Sequence, residues 1–113
     1  MKNQDTKNIF IVDIDNTICT QTTGNYEEAE PHISRIAKIN KLYDDGNTII
    51  YYTARGMFRN NGDKIKCYEQ FYNLTFQQLI KWECKFHELR LGKQLYHYWI
   101  DDKAINSEVF FNE

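Results

Sequence analysis

The chain has 113 residues, a formal net charge of −2 at pH 7 and 42% hydrophobic residues. This length predicts one domain, residues 1–113, and the composition excludes a disordered or fibrous chain. No apolar run approaches the ~20 residues of a membrane span, so no membrane partner is expected. The mild acidity argues against a nucleic-acid partner. Three irregularly spaced cysteines fit a reducing, cytoplasmic location.

The first half of the chain is predicted to form two strands joined by a helix. The continuous apolar run Ile9–Val12 is typical of a strand buried on both faces in a parallel sheet. After a polar stretch at 18–29, Pro31 suits the start of a helix, which Gly46 ends. Thr48–Thr53 is predicted as a second buried strand.

The second half is predicted to alternate helices and strands. Asp63 is a candidate N-cap for one helix, and Thr75 with Gln78 forms a capping-box pattern that predicts the start of another. The remaining predicted elements are strands at 86–91 and 96–100 and a closing helix at 103–111. Alternating strands and helices predict an α/β fold, a three-layer Rossmann-like arrangement around a parallel sheet.

Polar side chains collect at the carboxyl ends of the predicted strands. Asp13 and Asp15 follow the first strand, Thr53 ends the second, and Asp101 with Asp102 follows the last. Ligands of open parallel sheets bind just beyond these strand ends. We therefore expect the five side chains to share one crevice, joined by Lys93 from a nearby turn.

This group of residues predicts metal-assisted phosphoryl chemistry. Gathered carboxylates repel one another unless a cation joins them. All-oxygen ligands favour Mg²⁺, which takes one or two carboxylates together with substrate phosphate and water. One carboxylate can then attack phosphorus while a second carboxyl group protonates the leaving oxygen. The hydroxyl of Thr53 and the ammonium of Lys93 would hold phosphoryl oxygens of a small phosphorylated metabolite.

The order of these residues resembles the haloacid dehalogenase (HAD) superfamily of phosphatases. Counterparts of its four motifs stand in order at Asp13-Ile14-Asp15-Asn16-Thr17, Thr53, Lys93 and Asp101-Asp102. The resemblance implies a HAD-like core and Mg²⁺-dependent hydrolysis of a phosphate monoester. The short spacing between motifs leaves no room for a full cap domain. The open site would favour a bulky substrate, or one closed over by a partner subunit of a homo-oligomer.

The resemblance also implies a role for each residue. Asp13 would be the nucleophile that becomes an aspartyl-phosphate, and Asp15 the general acid and then the base. Thr53 and Lys93 would bind the transferring phosphoryl group. The implied metal ligands are Asp13, Asp15 through its carbonyl oxygen, Asp101 and Asp102. We expect Asp102 to contact the metal directly and Asp101 to orient the site, although the residues alone leave their order open.

A narrower resemblance concerns small phosphatase-like proteins of bacterial capsular and surface polysaccharide synthesis. It is carried by residues 11–19, 52–56 and 100–104 and by the pattern Thr75-x-x-Gln78. It implies a phosphorylated sugar or a related metabolite as the substrate.

Several alternatives stay open at this level. Arg55 either contacts substrate phosphate or anchors its loop, and Lys103 rivals Lys93 as the phosphoryl-binding lysine. Asn16 stands where the family more often has glycine, a tolerable change because asparagine accepts left-handed backbone. Other candidate functions are a nucleotidase, a polynucleotide 3′-phosphatase and a non-catalytic HAD-like binding module. A phospho-accepting receiver domain fits less well, because its acceptor aspartate would stand at Thr53.

Overall fold

The structure, a computed structural model, describes residues 7–112. It confirms an α/β fold built on a three-stranded parallel sheet. The strands are β1 (Ile9–Val12), β2 (Thr48–Thr53) and β3 (Glu88–Leu91), hydrogen-bonded in the order β1-β2-β3. Within residues 7–112, the outer edges of β1 and β3 therefore pair with no further strand. Over residues 7–112, no helix combines the length and apolar character that crossing a membrane requires.

Helices connect the strands and close the described part of the chain. Helix α1 (Ile33–Asp44) joins β1 to β2, α2 (Lys64–Lys81) joins β2 to β3, and α3 (Ser107–Phe111) comes last. A short 3₁₀ turn at Tyr26–Glu28 precedes α1. The predicted cap at Asp63 is confirmed, because its side chain accepts a hydrogen bond from a main-chain N–H in the first turn of α2.

The predicted division between two helices at Thr75 is wrong. Thr75 and Gln78 both lie inside α2, which runs without a break because no glycine or proline interrupts it. Their side chains do not cap a helix. Both accept hydrogen bonds from Arg55, a long-range contact that imitates a capping box in the sequence.

One face of the sheet carries the hydrophobic core. The strand register places Val12, Tyr51 and Leu89 side by side, and Ile36 of α1 and Leu79 of α2 pack in the same cluster. Both long helices therefore cover this one face.

The opposite face of the sheet is largely exposed over residues 7–112, although Ile50 in its centre is buried. The predicted α/β class is thus confirmed, and the third predicted layer is not seen in this part of the chain. Ile9 and Ile11 project from this face and are 69% and 61% exposed. Glu88 and Arg90 of β3 share it and are exposed as well. An apolar run identifies a strand, but it does not reveal whether both faces are covered.

The predicted strand at 96–100 does not form either. Residues 94–106, here called the arm, contain no helix or strand, and every one of them is exposed. Beyond the arm, α3 packs back on α1 through the ion pair of Arg35 with Glu108 at 2.8 Å. The radius of gyration is 14.5 Å, against ~13 Å for a globular domain of this length.

Candidate active site

The carboxyl ends of the strands bring Asp13, Thr53 and Lys93 together. The main-chain N–H of Lys93 donates to the carbonyl oxygen of Thr53 at 3.1 Å, which extends the β2–β3 ladder past its last pair. Gly92 supplies the left-handed backbone, φ +87°, that turns the chain at this point. The ammonium group of Lys93 consequently lies 3.0 Å from Asp13 Oδ1.

Two donors position the carboxylate of Asp13. Lys93 Nζ binds its Oδ1, and the hydroxyl of Thr17 donates to its Oδ2 at 2.9 Å. The side chain stays 34% exposed. Asp13 is therefore held in one orientation and still faces solvent, as a nucleophile or a ligand must.

A tight turn after β1 makes this contact with Thr17 geometrically possible. Asn16 adopts φ +63°, which confirms that asparagine serves here where glycine is the easier residue. The N–H of Thr17 donates to the carbonyl of Ile14 at 3.0 Å. Ile14 and Ile18 are fully buried and fix the turn to the core.

Asp15 is clamped by a buried arginine. Nε of Arg55 lies 3.0 Å from Asp15 Oδ2, and Nη2 lies 2.9 Å from Oδ1, a bidentate geometry. Nη1 donates to Thr75 Oγ1 at 3.1 Å and to Gln78 Oε1 at 2.6 Å. The Arg55 side chain is fully buried and has one N–H left. This favours the anchoring interpretation of Arg55 over substrate contact.

Tyr26 belongs to the same network and was missed by sequence reasoning. Its ring centre lies 4.8 Å from the guanidinium carbon of Arg55, within cation–π range. Its hydroxyl accepts a hydrogen bond from Gly56 N at 2.9 Å, and its carbonyl accepts one from Gln78 Nε2 at 2.6 Å. No periodic signal marks a single aromatic residue in the polar stretch 18–29.

The thiol of Cys19 lies beneath the Asp15 turn. Burial, assisted by the nearby charge of Asp15, raises the pKa of Cys19 to about 12. The thiol therefore stays protonated at neutral pH and is a structural group rather than a nucleophile.

A cavity of about 270 Å³ opens at these strand ends. Its polar wall is formed by Asp13, Asp15, Thr53, Arg55 and Lys93. Thr53 is buried, and its Oγ1 accepts a hydrogen bond from Arg55 N at 3.1 Å, so the hydroxyl proton remains free to donate. A larger cavity of about 470 Å³ lies near Gly24 and Arg59, but it does not contain the strand-end carboxylates.

Asp101 and Asp102 do not join this group in the structure. Both are on the exposed arm, where Asp101 accepts hydrogen bonds from Lys103 N at 2.9 Å and Trp99 Nε1 at 3.3 Å. The hydrogen bond from Lys103 N has the larger effect and that from Trp99 Nε1 the next, and both lower the pKa of Asp101. The rival lysine, Lys103, pairs with Asp102 at 3.7 Å, away from Asp13. Among residues 7–112, no three histidine, cysteine or acidic residues cluster as a metal site.

The residues at the cavity nevertheless fit a hard cation in composition. Each carboxylate oxygen of Asp13 accepts a single hydrogen bond and keeps a further lone pair. Asp13 thus offers one of the one or two carboxylates that Mg²⁺ commonly takes with phosphate and water. The carboxylate of Asp15 is engaged by Arg55, so Asp15 would contribute its main-chain carbonyl oxygen. The predicted contribution of Asp101 and Asp102 requires the arm to be placed differently, either in this chain or in another.

Comparison with known proteins supports the fold. No protein-family model matches the chain, and no curated protein is detectably similar to it. The chain is similar to the crystal structure of a structural-genomics target from Vibrio cholerae, with 25% sequence identity and a TM-score of 0.87. The similarity covers 96% of this chain and 89% of the other.

Proposed function

We propose that this protein is a Mg²⁺-dependent phosphatase with a HAD-like core that hydrolyses phosphate monoesters. The observation that carries the proposal is the contact of Lys93 Nζ with Asp13 Oδ1 at 3.0 Å, beside the buried Thr53. A carboxylate, an ammonium and a hydroxyl from three strand ends are the groups that a phosphoryl-transfer site needs.

The proposed reaction has two displacements at phosphorus. In the first, a carboxylate oxygen of Asp13 forms a bond to phosphorus, the bond to the ester oxygen breaks, and Asp15 gives that oxygen a proton. In the second, water attacks the aspartyl-phosphate, Asp15 takes a proton from it, and the bond to Asp13 breaks. Phosphate leaves and both side chains return to their starting states.

The remaining groups supply charge and position. Lys93 balances negative charge on the phosphoryl oxygens, and the hydroxyl of Thr53 donates to one of them. A bound Mg²⁺ would offset further phosphoryl charge, held by Asp13 and Asp15 from the described cavity. Arg55 acts on Asp15 and not on substrate, because its guanidinium is buried and almost fully engaged.

The substrate class proposed is a phosphorylated sugar or a related metabolite, with surface polysaccharide synthesis as the process. The cavity is lined by exposed Phe58 and Gln94 on its outer side, and no cap domain covers it among residues 7–112. An open mouth accommodates a sugar phosphate of variable size. The net charge of −2 disfavours the polynucleotide substrates of a 3′-phosphatase.

The experiment is a phosphate-ester panel assayed with MgCl₂ and with EDTA. We expect metal-dependent phosphate release by the wild type and at least a 100-fold loss in Asp13→Asn. The matched control is Asp45→Asn at the C-cap of α1, which should keep full activity. Equal turnover in EDTA, or an active Asp13→Asn enzyme, would contradict the proposal.

A non-catalytic binding module is the second candidate. The position of Asp101 and Asp102 on the exposed arm favours it, because they supply no ligand to the cavity there. This candidate predicts phosphate-ester binding without release of phosphate, which calorimetry and the same assay separate.

A further inference from the structure

The arm and the open face of the sheet both expose apolar side chains, so the two surfaces are suited to pack against each other. The arm presents bulky apolar side chains to solvent, with Tyr98 86% and Ile100 96% exposed. The sheet presents Ile9 and Ile11 beside the edge of β1 that pairs with no strand in the described part of the chain. Parallel sheets are normally covered on both faces, and free apolar strand edges attract further strands.

We propose that two copies of this chain exchange their arms, each arm pairing along β1 of the partner and bringing Asp101 and Asp102 to the partner's cavity. The occupant of the open edge is thus a second copy of the same chain. This inference rests on the proposed function only for its catalytic consequence, because the exchange itself is a statement about assembly.

The direction of the chain argues against the same pairing within one copy. To set Asp101 beside Asp13 at the carboxyl end of β1, residues 96–100 must run parallel to β1 from its amino end. Lys93 is already fixed at the carboxyl end, and only two residues separate it from Tyr96.

The chain from Lys93 to Tyr96 spans at most ~10 Å. To reach the amino end of β1 it would have to return along four strand residues, a distance of ~13 Å. Parallel neighbours need a crossover of roughly a dozen residues or more. An arm from a second copy has no such tether to this copy's cavity, so it can enter from the amino end of β1.

The exposed apolar surface of the arm is large enough for a dimer. Besides Tyr98 and Ile100, it includes four more exposed apolar side chains: Leu95, Tyr96, Trp99 and Ile105. Aromatic residues bury ~150–250 Å² each, so this set with the β1 isoleucines approaches the ~800 Å² that each partner gives a standard interface. Reciprocal exchange doubles every contact, as in a closed twofold dimer.

The conformation of the arm in the structure already suits exchange. It leaves the body of the molecule at Lys93 and returns at α3, so both ends are held while residues 94–106 project. The similarity to the Vibrio cholerae protein covers 96% of the chain, so it extends into the arm.

Cross-linking tests the exchange without any assay of activity. Two single variants, Ile11→Cys and Tyr98→Cys, are purified with different tags, mixed, refolded together and oxidised. The three native cysteines are buried and form no disulfide, so they interfere little. We expect a mixed disulfide dimer. The control pairs Tyr98→Cys with Ile65→Cys, a site on α2 that is more exposed than Ile11, and should cross-link far less.

Light scattering supplies the second readout. We expect a dimer for the wild type and a monomer with unchanged circular dichroism for the double variant Ile9→Lys, Ile11→Lys. A monomeric wild type, or an Ile11→Cys, Tyr98→Cys double variant that forms its disulfide within one chain, would overturn the exchange.

Complementation then separates assembly from chemistry. We expect Asp13→Asn and the Asp101→Asn, Asp102→Asn double variant each to be inactive alone. Co-refolding them should restore about a quarter of wild-type activity through one intact site per mixed dimer. If the wild type is active but the mixed dimers of the two variants regain no activity, the proposal that each site is shared between two chains is overturned. Cross-linked dimers of a wild type that releases no phosphate leave the exchange standing and remove the proposed function.

Discussion

Lys93 and Asp13 are 80 positions apart in the chain, and the ammonium of one lies 3.0 Å from a carboxylate oxygen of the other. Parallel strand ends create this contact, because Asp13 directly follows β1 and Lys93 follows β3 after the turn at Gly92. The side chain of Lys103, the alternative lysine, is exposed and pairs with the neighbouring Asp102. Replacing Lys93 and replacing Lys103 should therefore have different effects on activity.

Lys93→Met should lower kcat/KM for a phosphate ester by about 10²–10³-fold, the usual effect of removing one donor to developing charge. Lys103→Met should stay within about twofold of the wild type, because an exposed ion pair contributes little. Steady-state kinetics on the best substrate of the panel measures both. The reverse ranking of the two variants would assign the phosphoryl group to Lys103.

Arg55→Met should destabilise the protein as well as the site. It removes the clamp on Asp15 and leaves Thr75 and Gln78 without their donor. Since Asp15 keeps some contact with solvent, we expect the free energy of unfolding to fall by about 2–4 kcal/mol. Urea denaturation measures it, with Arg59→Met, an exposed arginine, as a control expected within about 0.5 kcal/mol. A similar loss in both variants would refute the clamp.

Gly56→Ala and Gly62→Ala form a matched pair. Both glycines have left-handed backbone, φ +84° and +83°, so each alanine carries a strain of about 1–2 kcal/mol. A Cβ at Gly56 would also lie 2.6 Å from a ring carbon of Phe71, whereas one at Gly62 meets nothing within 4 Å. Gly56→Ala should therefore lower the free energy of unfolding, measured in denaturant, by about 1–3 kcal/mol more than Gly62→Ala does. Equal losses of unfolding free energy in the two variants would mean that the Phe71 ring moves aside freely.

Stability should fall at alkaline pH. Burial raises the pKa of Cys19 and of Cys84 from an ordinary value of 9.0 to about 12. Between these pH values the unfolded chain loses thiol protons that the folded chain keeps. The free energy of unfolding therefore decreases as pH rises from 9 towards 12, by up to ~1.4 kcal/mol per pH unit for each thiol.

The double variant Cys19→Ala, Cys84→Ala tests this origin of the alkaline loss. Its free energy of unfolding should depend less steeply on pH between 9 and 11 than that of the wild type. Urea denaturation at a series of pH values gives both slopes. Parallel slopes would place the alkaline loss elsewhere, for example at the buried Tyr51, whose pKa burial also raises.

The sequence predicted the elements that local pattern controls. Ile9–Val12 and Thr48–Thr53 form as strands, and Asp63 caps α2, because apolar runs and caps depend on adjacent residues. The convergence of Asp13, Thr53 and Lys93 followed from the parallel order of the strands. Their proximity could therefore be predicted without knowing any side-chain contact.

What escaped prediction depends on distant contacts. Thr75 and Gln78 have the spacing of a cap, and only the approach of Arg55 reveals their actual role. The run at 96–100 has the composition of a strand, but a strand needs a neighbour, and no segment between residues 7 and 112 pairs with it. Composition alone does not specify the chain that supplies that neighbour.

The buried guanidinium of Arg55 has a practical consequence for laboratory evolution. It joins the first loop, the end of β2 and the middle of α2, so a library that varies Thr75 or Gln78 would perturb Asp15 from a distance. Specificity libraries are better aimed at the outer mouth of the cavity, where Gln21 and Phe58 border the opening. Randomising those positions changes what enters without disturbing the groups that would react.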